Sequence, residues 1–517
     1  MLLSTDYEGM TAWHCAALWG NLDMLQKVWV WANENLTREE INNKLLLNRD
    51  NEGMTAWHCA ALGGNLDVLQ KVWEWANENL TREEINNKLL LSTDNNGMTA
   101  WHCAALGGNL DVLQKGWEWA NENLRREEIN KKLLLSTNYE GMTAWHCAAR
   151  WGDLDVLQKV WEWANDNLTR EEINNKLLLS TDNNGRSAWH CAALQGNLDV
   201  LQKVWECANE NLTSVEINNK MLLSTDYEGM TAWHYAARRG NLDILQKVWE
   251  WANKNLTRGE INNKFLLSTD YEGMTAWHYS ARRGNLDILQ KIWDWANENL
   301  TREEINNKLL LSTDSEGITA WHCAARWGNL DVLQKVWELA NEKLTREEIN
   351  VKLLLSTDNE GTTAWLCAAR WGELDVLQKV WEWANENLTR EEINNKLLLS
   401  TENKRMTALH CAAEEGNLDI LQNVWEWANE NLTREEINNK LLLSTDNKGR
   451  TAWHCAALQG KLDVLQKVWD WANEKLTREE INDKLLLSTD NEGITAWHCA
   501  ARWGELDVLQ KVWEWAN

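Results

Sequence analysis

The sequence predicts an all-α solenoid, a stack of about twelve helical units of 44 residues each, and two observations carry that prediction. Trp13 returns at 44-residue intervals as Trp57, Trp101, Trp145, Trp189, Trp233, Trp277, Trp321, Trp365, Trp453 and Trp497, with Leu409 the single break. No insertion or deletion disturbs the register between copies. A unit this small cannot bury its apolar face alone, so neighbouring units must cover it, and the core grows lengthwise. A chain of 517 residues therefore need not split into separate cores, and residues 1–517 read as one continuous array whose last unit is incomplete.

The second copy, residues 50–93, shows the elements in order. Asp50-Asn51-Glu52-Gly53 is a turn, with Asp opening it and Gly supplying the left-handed residue. Thr55 to Leu62 is small and helix-competent, and Gly63-Gly64 stops that helix. Asn65 is placed to cap a second helix, Leu66 to Asn77, in which Leu66, Leu69, Val72, Trp73 and Ala76 share one face. Trp75 lies off that face and is expected to cover the third segment. That segment, Thr81 to Leu91, opens with Thr81 and Glu84 in the S/T-x-x-E spacing of a capping box and predicts a short third helix.

The totals narrow the function classes. The net charge of −26 is spread along the chain and repels nucleic-acid phosphates and anionic membrane surfaces. No apolar stretch approaches the roughly 18 residues of a membrane span. Met1 to Asp6 lacks the basic and apolar regions of a secretory signal, so a cytoplasmic or nuclear protein that is not secreted is expected. Ten of the 11 cysteines occupy one repeat position and Cys207 is the stray. Equivalent positions in packed units stand about 10 Å apart, too far for a disulfide, so these cysteines read as reduced, buried small hydrophobes. Proline is absent, and most of the 27 glycines belong to the Gly9 and Gly20 series.

The recurring stretch Asp-x-x-Gly-x-Thr-Ala-Trp-His-x-Ala-Ala-x-x-Gly-Asn-Leu-Asp-Val-Leu resembles the ankyrin repeat. Ala12 stands where the family pattern has Pro, and Trp13 where it has Leu. The period is 44 residues against the family's usual length of about 33, and the extra segment holds the third helix. The resemblance extends to every copy. It implies a turn followed by two antiparallel helices, and a function in binding proteins through the turn tips and first helices, which line a concave face in that family. HEAT and armadillo units have similar length but lack the Asp-x-x-Gly turn and the Thr-x-x-His helix start.

No catalytic, metal or cofactor site is expected. The 11 histidines all belong to the His14 series, with Leu366 in the remaining copy. One unit offers one His and one Cys, whereas tetrahedral zinc needs four ligands. Cys–His nucleophilic chemistry lacks an orienting third group. Thr11 and His14, three residues apart, instead form a hydrogen-bonded helix start. Asn-Leu-Thr occurs eight times, as at Asn35 and Asn299, and reads as the helix-capping threonine rather than a glycosylation acceptor. The acids of the third helix, such as Glu39 and Glu40, read as a solvated first turn favoured by the helix dipole.

Differences between copies concentrate at the turn tip and just after the first helix. They favour Arg, Trp and Tyr, the residue types enriched in binding hot spots. The candidate partner-binding residues are Tyr227, Met230, Arg238 and Arg239, their repeat Tyr271, Met274, Arg282 and Arg283, and then Arg326, Trp327, Arg370 and Trp371. This cationic, aromatic stripe on an acidic chain suits acidic or aromatic segments of a partner protein. Neutral drift on an exposed surface is the competing account. Two copies depart from the pattern locally: Arg405 replaces the turn glycine and Gly116 replaces a second-helix valine, so fraying is expected near residues 401–415. The functional expectation is a non-enzymatic scaffold or adaptor that binds proteins. The alternative is the recognition portion of a larger effector or membrane protein. Neither involves nucleic acid, membrane insertion or a small-molecule substrate.

Overall fold

The computed structural model describes residues 3–516 and is helical throughout, with no named strand among the described residues. The chain forms two compact units, one ending at Ile261 and the other beginning at Asn262. Each is an α-solenoid of the same repeating elements, so one repeat describes both. Asn517, the expected end of the last repeat, lies outside the described residues.

In the second repeat the turn forms as its residues dictate. The Asp50 side chain accepts hydrogen bonds from the amides of Glu52 (3.0 Å) and Met54 (2.8 Å). Gly53 takes φ 77°, which a side chain would strain. Neighbouring turns are also tied together, because the Asn51 amide donates to the Glu8 carbonyl at 3.0 Å and the Asn95 amide to Glu52 at 2.8 Å. The first helix is Ala56–Leu62, the second Leu66–Asn79 and the third begins at Arg82–Ile85. First helices of successive repeats pack on one another, as do second helices.

The third helix differs from expectation in kind. After one α-helical turn it widens into a π-helical turn, Asn86–Leu90, closed by the Leu91 amide on the Asn86 carbonyl at 3.0 Å. The widened turn lets the successive residues Leu89 and Leu90 both enter the core, alongside Ile85. The predicted capping box is present: Thr81 receives the Glu84 amide, and Glu84 accepts from the Thr81 amide at 3.0 Å. At Glu40 and Glu84 these bonds, with the neighbouring lysine, hold the carboxyl down at about 2.

Tryptophan forms the core between repeats. Trp75 reaches back and stacks on Trp29 of the preceding repeat at 4.4 Å and 12°, with Trp13 at 5.5 Å. The arrangement recurs as Trp73 on Trp119 and Trp205 on Trp251 in the first unit, and as Trp337 on Trp383 and Trp425 on Trp471 in the second. Offset aromatic pairs of this kind add about 0.5–1.5 kcal/mol each beyond the area they bury. The ladder is interrupted where Cys207 and Leu339 occupy the Trp31 position. At the second interruption the Lys343 ammonium lies over Trp293 at 5.7 Å.

Polar clamps finish the helix ends. The Asn65 side chain does not cap its own helix, as its position suggested. Its amide instead donates to the Ala17 and Leu18 carbonyls of the preceding repeat, at 2.9 and 2.8 Å. Asn197 and Asn241 do both jobs, capping their helices and binding the preceding repeat. Arg38, at the exposed start of the third helix, donates across to the Glu78 carbonyl at 2.8 Å, and Arg82 repeats this on Glu122 at 2.9 Å. These side chains supply donors to carbonyls that a helix terminus leaves unpaired.

Candidate partner-binding surface

The histidine of each repeat has a fixed structural task. His58 Nε2 faces the Ser92 carbonyl at 3.0 Å, and only a protonated nitrogen can bond a carbonyl oxygen, so Nε2 carries the hydrogen. Nδ1 is then the acceptor, and it receives the Thr55 amide (3.3 Å) and hydroxyl (2.9 Å). Both ring nitrogens are thus committed, and one repeat's helix start is joined to the segment that leads into the next turn. Burial keeps His58, His102, His278 and His410 neutral, down at about 4. Burial likewise pushes the thiols of Cys59, Cys191 and Cys323 up to about 12, far from a reactive thiolate at neutral pH. The cysteines are free and, Cys15 apart, buried, as expected. Among the described residues no group of three or more His, Cys, Asp or Glu could hold a metal ion, and no helix is long and apolar enough to cross a membrane.

The structure sorts the candidate surface residues into distinct environments. Met230 (0 % exposed) and Met274 (3 %) are buried under their turns, so they are scaffold, not accessible surface; Met142, Ile318, Thr362 and Met406 at the same repeat position are buried as well. The adjoining Tyr235 and Tyr279 replace the usual cysteine, and their hydroxyls donate to the turn carboxylates of Asp226 and Asp270. Tyr227 and Tyr271 are exposed at turn tips. Arg239 Nε donates to the Leu194 carbonyl at 2.7 Å, bracing the preceding repeat, while Arg238 lies 4.0 Å from Glu228.

The residues that come together as an exposed set belong to the second unit. The Arg282 guanidinium lies over Trp327 at 5.3 Å, and Arg326 lies over Trp371 at 5.0 Å. Trp327 and Trp371 remain 51 % and 52 % exposed. Arg283 is exposed beside Arg282. Arg370 is held differently, bonded to the buried Glu402 at 2.6 Å. Two clefts open between successive turns here. One of about 280 Å³ is lined by Glu272, Met274, Arg282, Arg326 and Trp327, and one of about 350 Å³ by Arg326, Asp358, Thr362, Arg370 and Trp371. Sequence reasoning passed over Thr362, because one threonine among methionines looks like drift.

The model of the ankyrin repeat family matches residues 228–257, a turn with its first and second helices. That match falls on one of a dozen repeats with the same fold and period. This chain is an ankyrin-like repeat protein. No curated protein matches the chain. The ankyrin-like array differs from the family's usual length by the third helix, which the structure uses to clamp the second helix of the following repeat.

Proposed function

We propose that this ankyrin-like protein is a non-enzymatic scaffold or adaptor of the cytoplasm or nucleus, binding partner proteins on the face made by its turns and first helices. Ankyrin repeats in general are protein-interaction modules, which supports the class of function. The observation that carries the specific face is the pair of guanidinium–indole stacks, Arg282 on Trp327 and Arg326 on Trp371, half exposed above clefts. Rigid, partly exposed Trp and Arg are the side chains that supply most binding energy in protein interfaces. A stacked guanidinium keeps its edge free for carboxylates while the indole offers apolar area. The partner segment is acidic or aromatic in this reading.

Affinity purification from the native cell tests it, with wild type beside a variant carrying Arg282→Glu, Arg283→Glu, Trp327→Ala and Trp371→Ala. Proteins retained by wild type and lost by the variant are the expected result. Identical sets of captured proteins would remove the binding role from this face.

A further inference from the structure

Resting on that reading, we infer that the larger cleft, between the eighth and ninth repeats, is a subsite for one carboxylate side chain of a partner peptide, bonded by Arg326 and Thr362. Two unsatisfied donors belong to residues that line it. Arg326 Nε is buried with no hydrogen-bond partner, and so is the hydroxyl of Thr362, a residue only 3 % exposed. Both residues line the same cleft of about 350 Å³. Buried polar atoms normally have partners, so two orphans on residues that line one cleft mark a place where a ligand entering it can supply the acceptors.

Comparison with other repeats shows how the site arises. Arg150 and Arg238, at the same repeat position, face the turn-tip glutamates Glu140 (3.1 Å) and Glu228 (4.0 Å). At Arg326 the next repeat presents Trp371, and the guanidinium lies over that ring. Thr362 occupies a position that is Met, Ile or Arg in the other repeats, and a shorter side chain there leaves space as well as a hydroxyl. The second arginine of the cleft, Arg370, is already neutralised by Glu402. Arg326 is therefore the cation left for a ligand, and a carboxylate matches the guanidinium edge in charge and geometry.

The rim sets the rest of the specificity. Glu316 and Glu360 are exposed on the turn tips beside the cleft. Salt screens them over about 8 Å, yet they disfavour a uniformly acidic chain. The segment that fits carries one Asp or Glu among neutral or basic residues, with an apolar neighbour against Trp371.

The test is peptide-display selection on the full chain, counter-selected on a double variant, Arg326→Leu with Thr362→Met. Both substitutions install residues that other copies carry, Leu18 and Met54, so the fold is kept, and circular dichroism verifies it. Selected peptides are expected to share an acid at a fixed position. Replacing that acid by its amide in a synthetic peptide should weaken binding at least tenfold on wild type and leave the variant unchanged. Peptides enriched in Lys or Arg without a shared acid, equal binding to both proteins, or no enrichment would each overturn the subsite. If the purification above succeeds while the display result fails, only the subsite falls; failure of both removes the binding face as well.

Discussion

Arg405 is the one described residue other than glycine with positive φ, at 60°, because it fills the turn position that glycine holds elsewhere. The left-handed conformation costs a residue with a side chain about 1 kcal/mol. Arg405→Gly should raise stability by about that amount, and hydrogen exchange at residues 401–415, faster than in neighbouring repeats in the wild type, should slow to match them. The buried histidines set a pH dependence at the same scale. Their folded-state values near 4 lie below the ordinary 6.5, so the unfolded chain binds protons more readily. Their contribution is complete above pH 6.5 and is lost as pH falls toward 4. Thermal unfolding followed by circular dichroism should show the melting temperature dropping across that window; a flat profile would contradict the burial of neutral imidazoles.

At the scale of the element, the second helix of the third repeat carries Gly116 where neighbours have valine, and the structure leaves a cavity of about 30 Å³ there, lined by Trp57, Leu69, Trp101 and Leu113. A Cβ added at Gly116 meets no atom within 4 Å. Gly116→Val should therefore stabilise the protein by about 1–2 kcal/mol, from recovered packing set against valine's modest helix propensity, read as a shift in denaturant midpoint. The third helix shows what propensity alone misses. Its capping box was legible in Thr81 and Glu84, but the π-helical turn that follows depends on seating both Leu89 and Leu90 against neighbouring helices.

For the molecule as a whole, repeats that contact only their neighbours make stability local. Gly116→Val should slow hydrogen exchange in the second to fourth repeats and leave residues 401–415 unchanged; a gain spread evenly along the chain would refute nearest-neighbour coupling. The same locality lets surface features vary from copy to copy. Tyr, Arg and Trp change at the turn tips while the Thr–His clamp recurs in the repeats that keep histidine and the tryptophan ladder breaks at Cys207 and Leu339. The stacks of Arg282 on Trp327 and Arg326 on Trp371 join one repeat to the next, whereas Arg150 lies over Trp151 of its own repeat at 5.8 Å.

By itself the sequence determined the period, from the recurrence of one pattern every 44 residues, and with it the helical class, the turn, the Thr–His pair and the capping box, whose residues lie within four positions of one another. It also pointed to the arginines and tryptophans that form the exposed stacks. Tertiary structure alone decided what joins one repeat to the next. Asn65 was expected to cap its own helix, yet it binds the preceding repeat, and the stacking of Trp75 and the reach of Arg38 likewise act on a neighbouring repeat. Met230 and Met274 were included among surface residues and are buried for the same reason. Contacts across a 44-residue interval follow from how helices stack, and spacing within one unit carries no information about them.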